Sequence, residues 1–229
     1  MEFLIIIIVL VIIYFVLRIM FDVNLKKIKK IAENDKLDKM VGKYPSNKEI
    51  CEEILKKVKN ENVEIEVDEN SSATLYLINS NKIFIANLKQ NFTRIQTIAH
   101  ECLHSIQSKK LLWFNFVFSN IYIIFFLTVS VLAVFKLLEY KMLFICLLLI
   151  FGLTFYSVRA YLENDAMTKA RFLAKEYMQE KNISSFEEIE EIINVYDRLN
   201  DVGIKATNFQ LLSNVLLKVL ILSIIFLIF

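Results

Sequence analysis

The chain has 229 residues, 56% of them hydrophobic, with only 3 glycines and 1 proline. A soluble domain of this length is less apolar, and so little Gly and Pro favours long helices over turn-rich folds. The 27 Lys and Arg against 25 Asp and Glu leave a formal charge of +2, which argues against a nucleic-acid partner. The three cysteines, Cys51, Cys102 and Cys146, make no paired framework and read as free thiols of a reducing compartment.

Residues 3–21, "FLIIIIVLVIIYFVLRIMF", are long enough to span a bilayer. They lack a basic start and a small-residue cleavage site, so an anchor is expected rather than a removed signal peptide. Residues 22–60 then read as helical, with a turn at "GKYPSN" (42–47). At "VEIEV" (63–67) the period changes to that of a half-buried strand. "ATLYLI" (73–78), "NSN" and "KIFIANL", from Lys82 to Leu88, predict a hairpin with a polar turn. A helix follows from about Asn91 to Lys110, and nothing between Gln107 and Leu111 stops it running on into the next apolar segment.

Residues 111–135 and 142–158 predict two further spans, joined by "KLLEYK" as a tight antiparallel hairpin. After them, Arg159 to Lys181 reads as helix, and "SFEE" (185–188) is a capping-box pattern opening another helix to about Leu199. The tail, 208–229, is interrupted by Lys218. It makes a fourth span if 208–218 packs partly on protein and Lys218 snorkels; otherwise it is re-entrant or lies on the surface.

The fold class expected is a mainly α, multi-pass membrane protein of the bilayer. Its α+β soluble domain has a small β-hairpin or sheet and is interrupted by a transmembrane hairpin. The segments are an anchor (1–21), a soluble part (22–110), the hairpin (111–158), a second soluble part (159–207) and a C-terminal hydrophobic helix (208–229). Lys26, Lys27, Lys29 and Lys30 follow the first span, Lys109 and Lys110 precede the second, and Arg159 follows the third. The positive-inside rule puts these residues, and both soluble parts, in the cytosol. Lys136 and Lys141 at the hairpin tip oppose that assignment.

Both histidines of the chain lie in "QTIAHECLHSIQSKK". His100 and His104, at i and i+4, share one helix face and can converge on one zinc ion, with Glu101 beside them to take a proton from zinc-bound water. A hydrolytic zinc site needs a third protein ligand. Cys102 points away from the histidine face and is read as packing, as is Leu103. Glu163 and Asp165 in "RAYLENDAMTKARFLA" are the first acids after the hairpin, which returns the chain to the interface it left just after His104. Glu163 is the preferred ligand and Asp165 the alternative. Ala166 and Ala170, at i+3 and i+7 from Glu163, allow close helix packing.

"IAHECLHSIQ" followed by "ENDAMTKARFLA" resembles the YugP-type neutral zinc metallopeptidases, bacterial membrane proteins with gluzincin-like catalytic domains. That family shows H-E-x-G-H-A-I-Q, a membrane hairpin, E-x-x-A-S-x-x-A and a final hydrophobic helix. The resemblance runs from about Ala73 to the C-terminus, plus the anchor. It implies a zincin-like domain and one zinc per chain held by His100, His104 and Glu163, with Glu101 as general base. Leu103 stands where the family has Gly. Met167 stands where it has Ser, and lacks a hydroxyl that could bond a ligating histidine. The membrane-bound CAAX-prenyl and heat-shock metalloproteases have a similar Glu-x-x-Ala arrangement.

The function expected is a membrane-bound zinc endopeptidase of the bacterial cell membrane, acting on a peptide or protein substrate at the cytosolic face. Its substrate is expected to add as a strand to an edge formed by Lys82 to Leu88. Arg159, Tyr161 and Arg171 are candidates to stabilise the oxyanion, and Asn115, Ser119 and Asn120 either line a wet groove or satisfy one another. A catalytically inert zinc-binding scaffold or chaperone is the alternative, against which the retained Glu101 argues. A site-2-type intramembrane protease is disfavoured because polar "QNFTRIQ" and "SKK" flank the motif.

Overall fold

The computed structural model describes residues 1–68, 71, 73–87 and 91–229. The chain is mostly helical with one small sheet. In order it forms α1 (Glu2–Met20), α2 (Leu25–Ala32), α3 (Asp35–Val41), α4 (Asn47–Lys57), β1 (Glu64–Asp68), β2 (Leu75–Leu77), β3 (Lys82–Ala86), α5 (Arg94–Ile106), α6 (Lys109–Val134), α7 (Lys141–Lys181) and α8 (Phe186–Ile228). Two compact units result. One comprises 1–23, 114–161 and 205–229, the other 24–113 and 162–204.

Four helices, α1, α6, α7 and α8, are long and apolar enough to cross a membrane. The expected break near Leu199 is absent, so α8 continues from its Ser185 cap through the hydrophobic tail. No proline or capping side chain interrupts that stretch. The cap has both expected bonds: Ser185 N–H donates to Glu188 Oε2 at 3.2 Å, and Glu188 N–H to Ser185 Oγ at 3.2 Å. α7 likewise runs unbroken through the third apolar segment into the Glu163 region.

In the apolar unit, Leu10, Tyr122, Leu148, Val219 and Phe226 share a buried core. Gly152 permits a close approach there. A Cβ at that position would lie 2.4 Å from Val215 Cγ1 and 2.8 Å from the Tyr122 hydroxyl, the usual use of a small residue between membrane helices. Lys218 does not interrupt α8, because its ammonium sits 5.0 Å from the Tyr122 ring centroid and an aromatic face meets the charge. Ser119 and Asn120 bond back to the Phe116 carbonyl at 2.9 and 2.7 Å, within α6 rather than across to each other. Gly152→Val is expected to cost about 1–3 kcal/mol by overpacking. Thermal unfolding in detergent would read this as a lowered midpoint, partly recovered by adding Val215→Ala.

In the polar unit, Ile50 and Ile54 of α4, Ile83 and Ile85 of β3, Ile98 and Cys102 of α5, Ala166 and Ala170 of α7 and Ile192 of α8 belong to one buried core. The sheet order is β1-β3-β2, with β1 parallel and β2 antiparallel to β3. The expected hairpin is therefore present, but its second strand is not an edge. Lys82–Ala86 lies in the middle of the described strands, paired with β1 along its length and with β2 over Lys82–Phe84, and Ala86 N–H is taken by Thr74 Oγ1; Leu88 lies outside the described residues. The physical reason is burial. Ile83 and Ile85 are fully buried, whereas the acidic β1 and the three-residue β2 suit the edges.

At the hairpin turn, Asn81 takes a left-handed φ of 51°, which Asn tolerates. Its side chain accepts from the Tyr76 hydroxyl and donates to the Asn62 carbonyl, both at 2.9 Å.

Candidate metal centre

α5 presents His100 and His104 one turn apart, and α7 brings Glu163 to them. His100 Nε2 and His104 Nε2 are 3.0 Å apart. Glu163 Oε2 lies 3.3 Å from His100 Nε2, and Glu163 Oε1 lies 3.6 Å from His104 Nε2. Zinc bonds of about 2.0–2.1 Å at tetrahedral angles place ligand atoms about 3.3 Å apart. The three measured separations bracket that value, so the donors could hold a metal ion. They are largely shielded from solvent, with side-chain exposures of 16% for His100, 8% for His104 and 12% for Glu163.

α5 ends at Ile106 rather than running on into α6. Gln107 leaves the helix at φ −63° and ψ 166°. Its side chain returns to the site: Oε1 lies 2.8 Å from His104 Nδ1, and Nε2 donates to the Leu162 carbonyl at 2.9 Å and to Asp165 Oδ2 at 3.0 Å. These bonds give the chain a reason to break there that local propensity does not contain. Asp165, the alternative ligand, is occupied by Gln107 and by Lys169 at 2.6 Å. Burial pushes its carboxyl up, but the hydrogen bonds from Lys169 and Gln107 hold it below the usual range.

Glu101 lies beside the triad, with Oε1 3.9 Å from His100 Nε2. Its other oxygen, Oε2, accepts the Tyr76 backbone N–H of β2 at 2.7 Å. Burial raises its pKa, and the two imidazoles and the Tyr76 N–H reduce that rise. For His104, burial alone would lower the pKa, but the carboxylates of Glu163 and Glu101, with Gln107, outweigh it and raise it.

Cys102 points into the core, its Sγ 3.8 Å from that of Cys51, and burial pushes its thiol up well above the ordinary value. Leu103 belongs to the same core. The methyl of Met167 packs 3.2 Å from where a Cβ on Gly203 would lie. Arg171 is engaged by Asp197 at 3.2 Å and stacks over Phe172.

Tyr76, Gln107 and Arg94 have no role that the sequence alone assigns. Gln107 did carry a signal, as the last residue of the motif that runs from His100. Tyr76 carried none, because its contribution is backbone. Arg94, buried at the start of α5, donates to the carbonyls of Val41, Tyr44 and Pro45 and to Asn47 Oδ1, all at 2.8–2.9 Å. No protein-family model matches this chain, and neither a curated protein nor a solved structure aligns with it.

Proposed function

We propose that the chain is a zincin-like, membrane-bound zinc peptidase, with His100, His104 and Glu163 as the metal ligands and Glu101 as the general base. What carries this reading is Glu101: a carboxylate beside the three donors, anchored through one oxygen by Tyr76 and leaving the other toward the site. A metal held only for structure has no use for such a group. Two imidazoles and one carboxylate suit zinc with an open position. When bound, zinc polarises a scissile carbonyl and acidifies water.

Glu101 accepts the proton of the attacking water as the new C–O bond forms. It returns that proton to the amine nitrogen as the C–N bond breaks. β2 is an edge of the described sheet, but the N–H of its middle residue, Tyr76, is already given to Glu101, so a peptide laid beside it would meet that edge only through the remaining backbone groups. On this reading the four apolar helices are spans of a bacterial cell membrane, and the lysine distribution favours the cytosolic side for both polar segments.

Glu101→Gln tests the proposal. Purified in detergent, it is expected to keep its zinc and to lose about 10²–10⁴-fold in hydrolysis of a mixed fluorogenic peptide library. A wild type that binds zinc yet cleaves nothing in the library supports the inert scaffold instead. Equal cleavage by the variant removes Glu101 from the mechanism.

A further inference from the structure

Gln107 touches no metal donor atom directed into the site, yet its amide touches both helices that build it. Its Nε2 faces the Leu162 carbonyl and the Asp165 carboxylate, at 2.9 and 3.0 Å. The Leu162 carbonyl can only accept, so the group that faces it must be the NH₂. The amide orientation is thereby decided: the NH₂ faces α7 and the oxygen faces His104. An amide oxygen only accepts, so at 2.8 Å His104 Nδ1 must carry the hydrogen. A neutral imidazole has one N–H. Nε2 is therefore left as a bare lone pair, directed among His100 Nε2 and Glu163 Oε1 at 3.0 and 3.6 Å.

We propose that Gln107 is the positioning residue of the metal centre: it holds His104 as the Nδ1–H tautomer and ties the end of α5 to α7 on either side of Glu163. This rests on the metal-centre reading. The opposite tautomer would set two lone pairs against each other at Gln107 and put a hydrogen where the metal binds. The contacts to residues 162 and 165 bracket residue 163, so the same amide that orients one ligand also sets the helix face carrying another. Asp165, which lies too far into this network to serve as a ligand, acts through Gln107. Partners of this kind typically contribute 10–100-fold to metal affinity.

The chain has only two histidines, so ¹⁵N-histidine labelling yields a spectrum with two imidazoles, assigned with a His100→Gln variant. The full chain in detergent is stripped of metal and recorded at about pH 9, well above the usual imidazole pKa of about 6.5. Wild type is expected to show His104 with a protonated Nδ1 and a bare Nε2. Gln107→Leu should move His104 toward the Nε2–H form and weaken zinc binding about 10–100-fold in chelator competition. Gln107→Glu keeps the acceptor but sets two carboxylates together. Adding Asp165→Asn returns a donor and should recover affinity to within about threefold of wild type, a rescue that general destabilisation does not produce. An Nε2–H His104 in wild type overturns the proposal, as does a tautomer and a zinc affinity unchanged in Gln107→Leu. If wild type shows the Nδ1–H tautomer but binds no zinc, the metal reading fails while the assignment of Gln107 to His104 stands.

Discussion

Glu163→Ala is expected to empty the metal site. The variant keeps both imidazoles, which come from one helix, but loses the donor that α7 contributes at 3.3 and 3.6 Å. Two neutral ligands on one turn leave a divalent ion without a compensating carboxylate. Affinity should therefore fall by more than the 10–100-fold typical of an outer partner. Elemental analysis after gel filtration should read about one zinc per wild-type chain and near zero for the variant. Asp165→Ala is the control that gives this result its meaning. Asp165 bonds Gln107 rather than belonging to the donor group, so its loss should weaken binding without abolishing it at saturating zinc. Zinc that survives Glu163→Ala but not Asp165→Ala would exchange the two roles.

Arg94→Met is expected to destabilise the fold on the order of 3 kcal/mol, a large share of the 5–15 kcal/mol typical of a folded protein. The guanidinium is buried at 5% exposure and supplies donors to four acceptors in the turn between α3 and α4. Methionine fills similar volume, but the Val41 and Tyr44 carbonyls then lose their donor in a buried position. Arg94→Lys should rescue little, because a compact ammonium cannot match the planar fork that spans these oxygens. Thermal denaturation in detergent measures both variants. A lysine variant as stable as wild type would mean that charge, not fork geometry, holds the turn. Because α5 begins at Arg94 and carries the histidines six and ten residues downstream, the same loss should also loosen zinc binding.

Much of the architecture was legible in the sequence because it depends on local repetition. An apolar run long enough for a bilayer forms a helix wherever it lies. A Ser three residues before a Glu caps that helix from within its own first turn. Alternation at 73–88 predicts strands and a hairpin. Helix ends were less legible. α8 passes the expected stop near Leu199 because propensity marks where a helix can begin better than where it must end. At Gln107 the helix does stop, for partners on α7 that are 55 and 58 residues away.

By itself, the sequence determined that three segments are apolar enough to cross a membrane and left conditional the tail, 208–229, which the continuous α8 makes the fourth. It also determined that two imidazoles share a helix face beside a carboxylate, since i and i+4 spacing needs no knowledge of the rest of the chain. Only the tertiary structure decided which acid completes the group. Glu163 and Asp165 differ by two positions on one helix and so point about 160° apart around its axis. Only the packing of α7 beside α5 selects between them. The order of the sheet, which puts Lys82–Ala86 in the centre and β2 against Glu101, was decided at the same level. Strand pairing rewards the burial of Ile83 and Ile85 by elements distant in sequence, and periodicity along one strand does not encode its neighbours.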